Sequence, residues 1–207
     1  RVIVALTSIG KNPKDIAGYN LLTALSDYEK TIWQGVNGAI WALIALDSGN
    51  YDMPNNPNAK VQATREMYIN HIIENQTSDG GWALSGDVAD PDVTGMALQA
   101  LSKYQDNGKV KSATEKALNC LSNMQKENGG FSSYEVETSE SSVQVLVALC
   151  ELGISIDDER FVKNGKSVLD NLFSFYDNGK GFKHIHQDST NLMATEQCFY
   201  ALVALKR

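Results

Sequence analysis

The chain has 207 residues, 43% hydrophobic and 21% charged, and its 25 acidic against 18 basic side chains give a net charge of −7. Such a chain can bury roughly 70% of its unfolded surface, which excludes a disordered tail, a collagen-like fibre and a disulfide-dense miniprotein. No Lys/Arg cluster marks a nucleic-acid or anionic-membrane surface, and the longest uncharged apolar stretch, residues 36–46, is too short to span a bilayer.

In chain order, residues 1–8 read as the end of a helix already under way, so the sequence is expected to be a fragment of a longer protein, with any targeting signal upstream. Amphipathic or apolar helical patterns follow in pairs: 14–28 with 35–48, 61–76 with 92–105, 111–126 with 139–152, and 159–176 with 191–206. The linkers carry turn chemistry, as in Gly10-Lys11-Asn12-Pro13 and Asp106-Asn107-Gly108. Val, Ile and Thr never alternate over a run, so no significant sheet is expected. Cys120, Cys150 and Cys198 each sit in an apolar helical pattern and read as buried free thiols.

The pairs are repeats. Gln76-Thr77-Ser78-Asp79-Gly80-Gly81-Trp82 returns as Gln125-Lys126-Glu127-Asn128-Gly129-Gly130-Phe131 and, altered, as Tyr176-Asp177-Asn178-Gly179-Lys180-Gly181-Phe182. Each second helix ends in Ala-Leu, at Leu46, Leu101, Leu149 and Leu205. Aligned on that leucine without gaps, the second helices share columns. One holds Asn37, Asp92, Glu140 and Glu196; another holds Trp41, Met96, Gln144 and Tyr200. Both columns fall on one face, opposite a Leu/Ala face. A helix apolar on both faces is sandwiched, so the second helices are expected as an inner layer and the more charged first helices as an outer one. The acids then lie at the N-terminal mouth of the inner layer. They serve either as helix caps, because carboxylates answer the orphan N–H groups and the helix dipole, or as the lining of a binding cavity.

Helix pairs joined by such loops resemble the terpenoid cyclase and protein prenyltransferase α/α toroid, and Gln76…Gly80-Gly81-Trp82 resembles the repeat motif of squalene cyclases. The segments 92–101, 140–145 and 194–197 are similar to prenyltransferase-repeat domains of Gram-positive secreted and surface proteins. Those domains are in turn similar to the helical domain of the cobalamin carriers transcobalamin and intrinsic factor. The resemblance implies an all-α toroid over 1–207, possibly an incomplete ring, at the cell surface or secreted, with neighbouring domains of the same chain and a corrinoid-like small molecule as partners.

The catalytic groups of those enzymes are only partly present. Cyclases of this type protonate substrate with Asp-x-Asp-Asp; Asp90-Pro91-Asp92-Val93 has Val93 in place of the last acid. The zinc site of protein prenyltransferases needs Asp-x-Cys and a later His; Asp92 is followed two residues on by Thr94, and Glu196-Gln197-Cys198 has no later inner helix to supply a His. The expectation is a non-catalytic binding or interaction module without cofactor or metal, its ligand held by Asn37, Trp41, Asp92, Met96, Glu140, Gln144, Glu196 and Tyr200. The rivals are a cyclase or prenyltransferase enzyme and a structural spacer of an adhesin. His184 and His186 read as polar loop surface, and His71 as structural.

Overall fold

The computed structural model describes all 207 residues, which group into two compact units, 1–76 and 77–207. The first holds α1 (Val2–Ser8), a 3-10 turn at Leu21–Ser26, α2 (Tyr28–Ile32), α3 (Val36–Asp47) and α4 (Arg65–Glu74). Ile3, Leu22 and Ala45 form one buried cluster with Leu21, Leu25 and Tyr51 around it. Asp27 caps α2 and Thr64 caps α4, each accepting a backbone N–H of the first turn. Arg65 ties α4 to α3 through Nε to Asp47 Oδ1 at 3.1 Å.

The helix expected over 14–28 does not form. Ala17 and Gly18 both take positive φ, 53° and 81°, in a tight turn that pairs Ile16 with Tyr19. Asn20 then starts the 3-10 turn by accepting the Leu22 N–H. The apolar spacing of Leu21, Leu22 and Leu25 is helical in period but buries through that turn instead.

The second unit contains α5 (Pro91–Leu101), α6 (Gly108–Met124), α7 (Ser139–Glu151), α8 (Val168–Ser174) and α9 (Leu192–Lys206). Three two-residue hairpins punctuate them: β1 (Ser132–Ser133) with β2 (Val136–Glu137), β3 (Val162–Lys163) with β4 (Lys166–Ser167), and β5 (Tyr176–Asp177) with β6 (Gly181–Phe182). The fold is all-α in character, and the hairpins are turns of the connecting loops. One of them corrects the expected helix over 159–176, which is a 3-10 turn, a hairpin and then the short α8. Asn164 and Gly165, at φ 47° and 73°, make that hairpin turn, and Ser167 with Asp170 closes a capping box that starts α8.

The inner elements α5, α7 and α9 lie side by side, α7 packed between the other two, while α6 lies on α5 and α8 on α7. Leu101 and Leu149 are fully buried, whereas Leu205, expected to match them, is only half-buried. Gly95 lets α5 and α7 approach closely: a Cβ there would sit 2.7 Å from the Gln144 carbonyl. The loop aromatics do plug the core, with Trp82 and Phe131 fully buried and Phe182 nearly so.

Candidate functional site

The loop aromatics fix the register of the inner helices. The Trp82 N–H donates to Thr94 Oγ1 at 2.9 Å, and that hydroxyl donates back to the Trp82 carbonyl at 3.1 Å. Phe182 makes the same exchange with Thr195, at 2.9 and 3.3 Å. Thr94 is therefore equivalent to Thr195. Gly81 and Gly181 agree, since a Cβ at Gly81 would strike Thr94 Oγ1 and one at Gly181 would strike Thr195 Oγ1.

This equivalence shifts α9 by three residues from the gapless alignment on Leu205. The position matching Asp92 and Glu140 is Met193, the one matching Met96 and Gln144 is Gln197, and the leucine matching Leu101 and Leu149 is Leu202. Glu196 is exposed and in this register does not share the position of Asp92 and Glu140. Placing it beside them is thus corrected by the register of the loop. Tyr200 is likewise nearly half exposed, at 47%.

Asp92 and Glu140 occupy the second position of α5 and α7, but neither caps its helix. Capping falls to Asp90, whose Oδ1 accepts the Asp92 and Val93 N–H groups at 3.0 and 3.1 Å. On α7 it falls to Thr138, which accepts the Ser141 N–H at 3.1 Å. Asp90 is held in turn by the Ser133 hydroxyl from β1. The two acids at the second position remain free for other use. Glu140 is 8% exposed, and its Oε2 accepts the Ser139 hydroxyl at 3.0 Å and His184 Nδ1 at 2.9 Å. Its Oε1 and Asp92 Oδ1 are both buried without a hydrogen-bond partner, a costly state for a carboxylate. Burial pushes the Asp92 carboxyl up to about 6; a Ser141 hydrogen bond pulls back against it, and the charges of Asp90 and Glu140 add to the rise.

His184, expected as polar loop surface, is 43% exposed at its side chain and reaches Glu140 from that loop. Its carbonyl accepts the Ser139 N–H at 3.1 Å, so the loop after β6 is fastened to the start of α7 by backbone and side chain together. His186 stacks on Phe175 at 4.0 Å and lies 3.7 Å from Glu137 Oε1. A partner 44 residues away on an irregular loop leaves no periodic trace in the sequence.

The remaining candidates are scattered. Gln144 takes part in a ladder in which Gln99 Nε2 donates to its carbonyl and side-chain oxygens at 3.0 and 3.1 Å, and its own Nε2 donates to Gln197 at 3.3 Å. That ladder holds helices together. Met96 is half-buried on α5. In the first unit, Asn37 and Trp41 are half-buried on α3, and the Arg1 guanidinium lies 4.7 Å over the Trp41 ring. Trp41 lines a cleft of about 510 Å³ with Arg1, Asp27, Lys30 and Gln34. The thiols of Cys120 and Cys198 are buried and free, and burial pushes them up to about 11 and about 12, which makes them poor nucleophiles.

A sequence model of the prenyltransferase alpha-alpha toroid domain matches residues 20–159, about two thirds of the chain. The chain belongs to that family. The matched region contains Asp92 and Glu140, while His184 lies beyond it. No curated protein matches the chain.

Proposed function

We propose that this toroid-family chain is a non-catalytic ligand-binding module of a bacterial surface or secreted protein, with Asp92 and Glu140 at its binding site. One observation carries this reading. Two adjacent inner helices each carry a carboxylate that does not cap its helix and that keeps one buried oxygen without a hydrogen-bond partner. The ligand such a pair prefers is a cation or a molecule rich in N–H donors, such as the amide fringe of a corrinoid. Access requires His184 to leave Glu140, since the free oxygens are closed from solvent.

The test is a spectrophotometric titration with cyanocobalamin, using the wild type and the Asp92→Asn/Glu140→Gln variant. Saturable binding by the wild type, weakened at least about tenfold (1.4 kcal/mol) in the variant, supports the proposal. Equal binding by both removes the two acids from it. No binding by either removes the corrinoid.

One observation favours a second reading. Asp92 stands where the toroid cyclases carry their proton donor, and a carboxyl lifted to about 6 is partly protonated near neutral pH. Against it, Val93 replaces the neighbouring acid, and the nearby His184 pulls the Asp92 value down. Turnover of squalene or geranylgeranyl diphosphate that is lost in Asp92→Asn would establish the enzyme reading in place of the binding one.

A further inference from the structure

Residues 183–191 form the loop between β6 and α9, and its two ends are pinned. The Lys183 N–H donates to the Phe175 carbonyl at 3.0 Å, the Asn191 N–H donates to the Phe182 carbonyl at 2.9 Å, and Lys183 bridges to Thr190. Between those ends, residues 186–189 are exposed. The loop carries both histidines of the second unit, and each faces a carboxylate at the start of α7. His184 Nδ1 lies 2.9 Å from Glu140 Oε2, and His186 Nε2 lies 3.7 Å from Glu137 Oε1 on β2. The two histidine side chains are 43% and 40% exposed, so both exchange protons with solvent. The His186 ring also stacks on Phe175, centroids 4.0 Å and planes 12° apart, a face that favours a charged imidazole. The backbone joins in: the His184 carbonyl accepts the Ser139 N–H at 3.1 Å, one of the first-turn donors for which α7 has no partner of its own.

Histidine changes charge between about pH 5 and 8. Losing the imidazole proton turns each ion pair into a weaker bond with one charged member. The other groups around the two rings do not reverse this sign. The charges of Asp92 on α5 and His184 stabilise each other. Cys198 on α9 is coupled to Glu140 but stays a neutral thiol, pushed up to about 12 by burial. Lys126 holds the other oxygen of Glu137 at 3.1 Å, and Lys183 Nζ donates to the His186 carbonyl at 3.3 Å. These two cations weaken the His186 pair and leave the His184 pair as the stronger fastening. We propose that residues 183–191 form a pH-dependent latch over Glu140 and Asp92, closed while His184 and His186 are charged and loosened as they lose their protons. What the latch guards rests on the binding reading above; the latch itself rests on the two pairs. Since His184 must leave Glu140 before a ligand reaches the acids, entry is faster in neutral than in acidic solution.

Hydrogen exchange of the Ser139 amide tests this without any ligand, followed by NMR on the whole chain at about pH 5.5 and 7.5 and corrected for the intrinsic pH dependence of exchange. The amide of Leu146, buried in the middle of α7, reports opening of the unit as a whole and serves as the reference. Relative to Leu146, protection of Ser139 should fall about tenfold or more from the lower to the higher pH. His184→Gln/His186→Gln keeps side chains that hydrogen-bond but do not titrate, and there the ratio should be independent of pH. His184→Gln alone should remove the larger part of the dependence. A wild-type ratio equal at both pH values overturns the latch, and so does a dependence that survives in the double variant. The binding reading fails separately, in the cyanocobalamin titration. Where that ligand binds, its association rate should rise about tenfold over the same pH interval, and a rate that stays constant or falls overturns the latch as a gate.

Discussion

At the scale of single residues, Asp92 has the clearest energetic signature. Its folded-state value is raised from 3.8 to about 6, chiefly by burial. For a raised value, the stability contributed by the protonated form is fully present below pH 3.8 and is lost as pH rises through about 6. Ionised Asp92 therefore destabilises the second unit at neutral pH, by about 3 kcal/mol for a shift of that size. Asp92→Asn should raise resistance to urea at pH 7.5 by up to that amount and give no gain at pH 3.5. A gain independent of pH would show that charge is not its source. The threonines that hold the loop aromatics make the opposite case. Thr94 is fully buried, and Thr94→Val takes away a partner of the Trp82 N–H while keeping the shape. It should cost about 1–3 kcal/mol in the same urea measurement. Thr195→Val, which breaks the matching bond to Phe182, should cost a similar amount. A neutral result at both would detach the register from these bonds.

At the scale of elements, periodicity and cap chemistry found α3, α5, α6, α7 and α9. Each has a long apolar pattern, and Asp90 before Pro91 announced the start of α5. It failed over 14–28 and 159–176, where a few apolar residues at helical spacing are interrupted by left-handed turns at Ala17-Gly18 and Asn164-Gly165. The α9 register was misread for a different reason. The helix carries leucine at both 202 and 205, so the terminal Ala-Leu pair gives two alignments three residues apart. The hydrogen bonds from Phe182 select the earlier one, which removes Glu196 from the acidic pair. Asp92 and Glu140 were legible because each lies two residues after its helix's cap, Asp90 or Thr138, and nine before the matching leucine, Leu101 or Leu149. His184 was not, because no helical spacing connects a loop residue to α7. The contact between α5 and α7 depends on Gly95. Gly95→Ala should improve helix propensity by about 1 kcal/mol. It also drives a methyl group to 2.7 Å from the Gln144 carbonyl, an overpacking that costs typically 1–3 kcal/mol. Thermal unfolding should therefore show a net loss, and a rise in Tm would mean that the two helices separate easily.

At the scale of the whole molecule, the family assignment and the helix pairs agree on an all-α toroid domain. The chain's individuality lies in what it places at the start of two inner helices. Asp90 and Thr138 satisfy the helix ends, and Asp92 and Glu140 are each left with one buried, unused acceptor atom. Ionised Asp92 is destabilising at neutral pH, and a protein keeps such a group where function uses it. Structure and binding thus make opposite demands on Asp92. The most direct test measures both in the Asp92→Asn/Glu140→Gln variant, recording urea stability at pH 7.5 and cyanocobalamin retention on one preparation. The account predicts that stability rises while retention falls at least about tenfold relative to wild type. Stability that falls, or retention that stays unchanged, would contradict it.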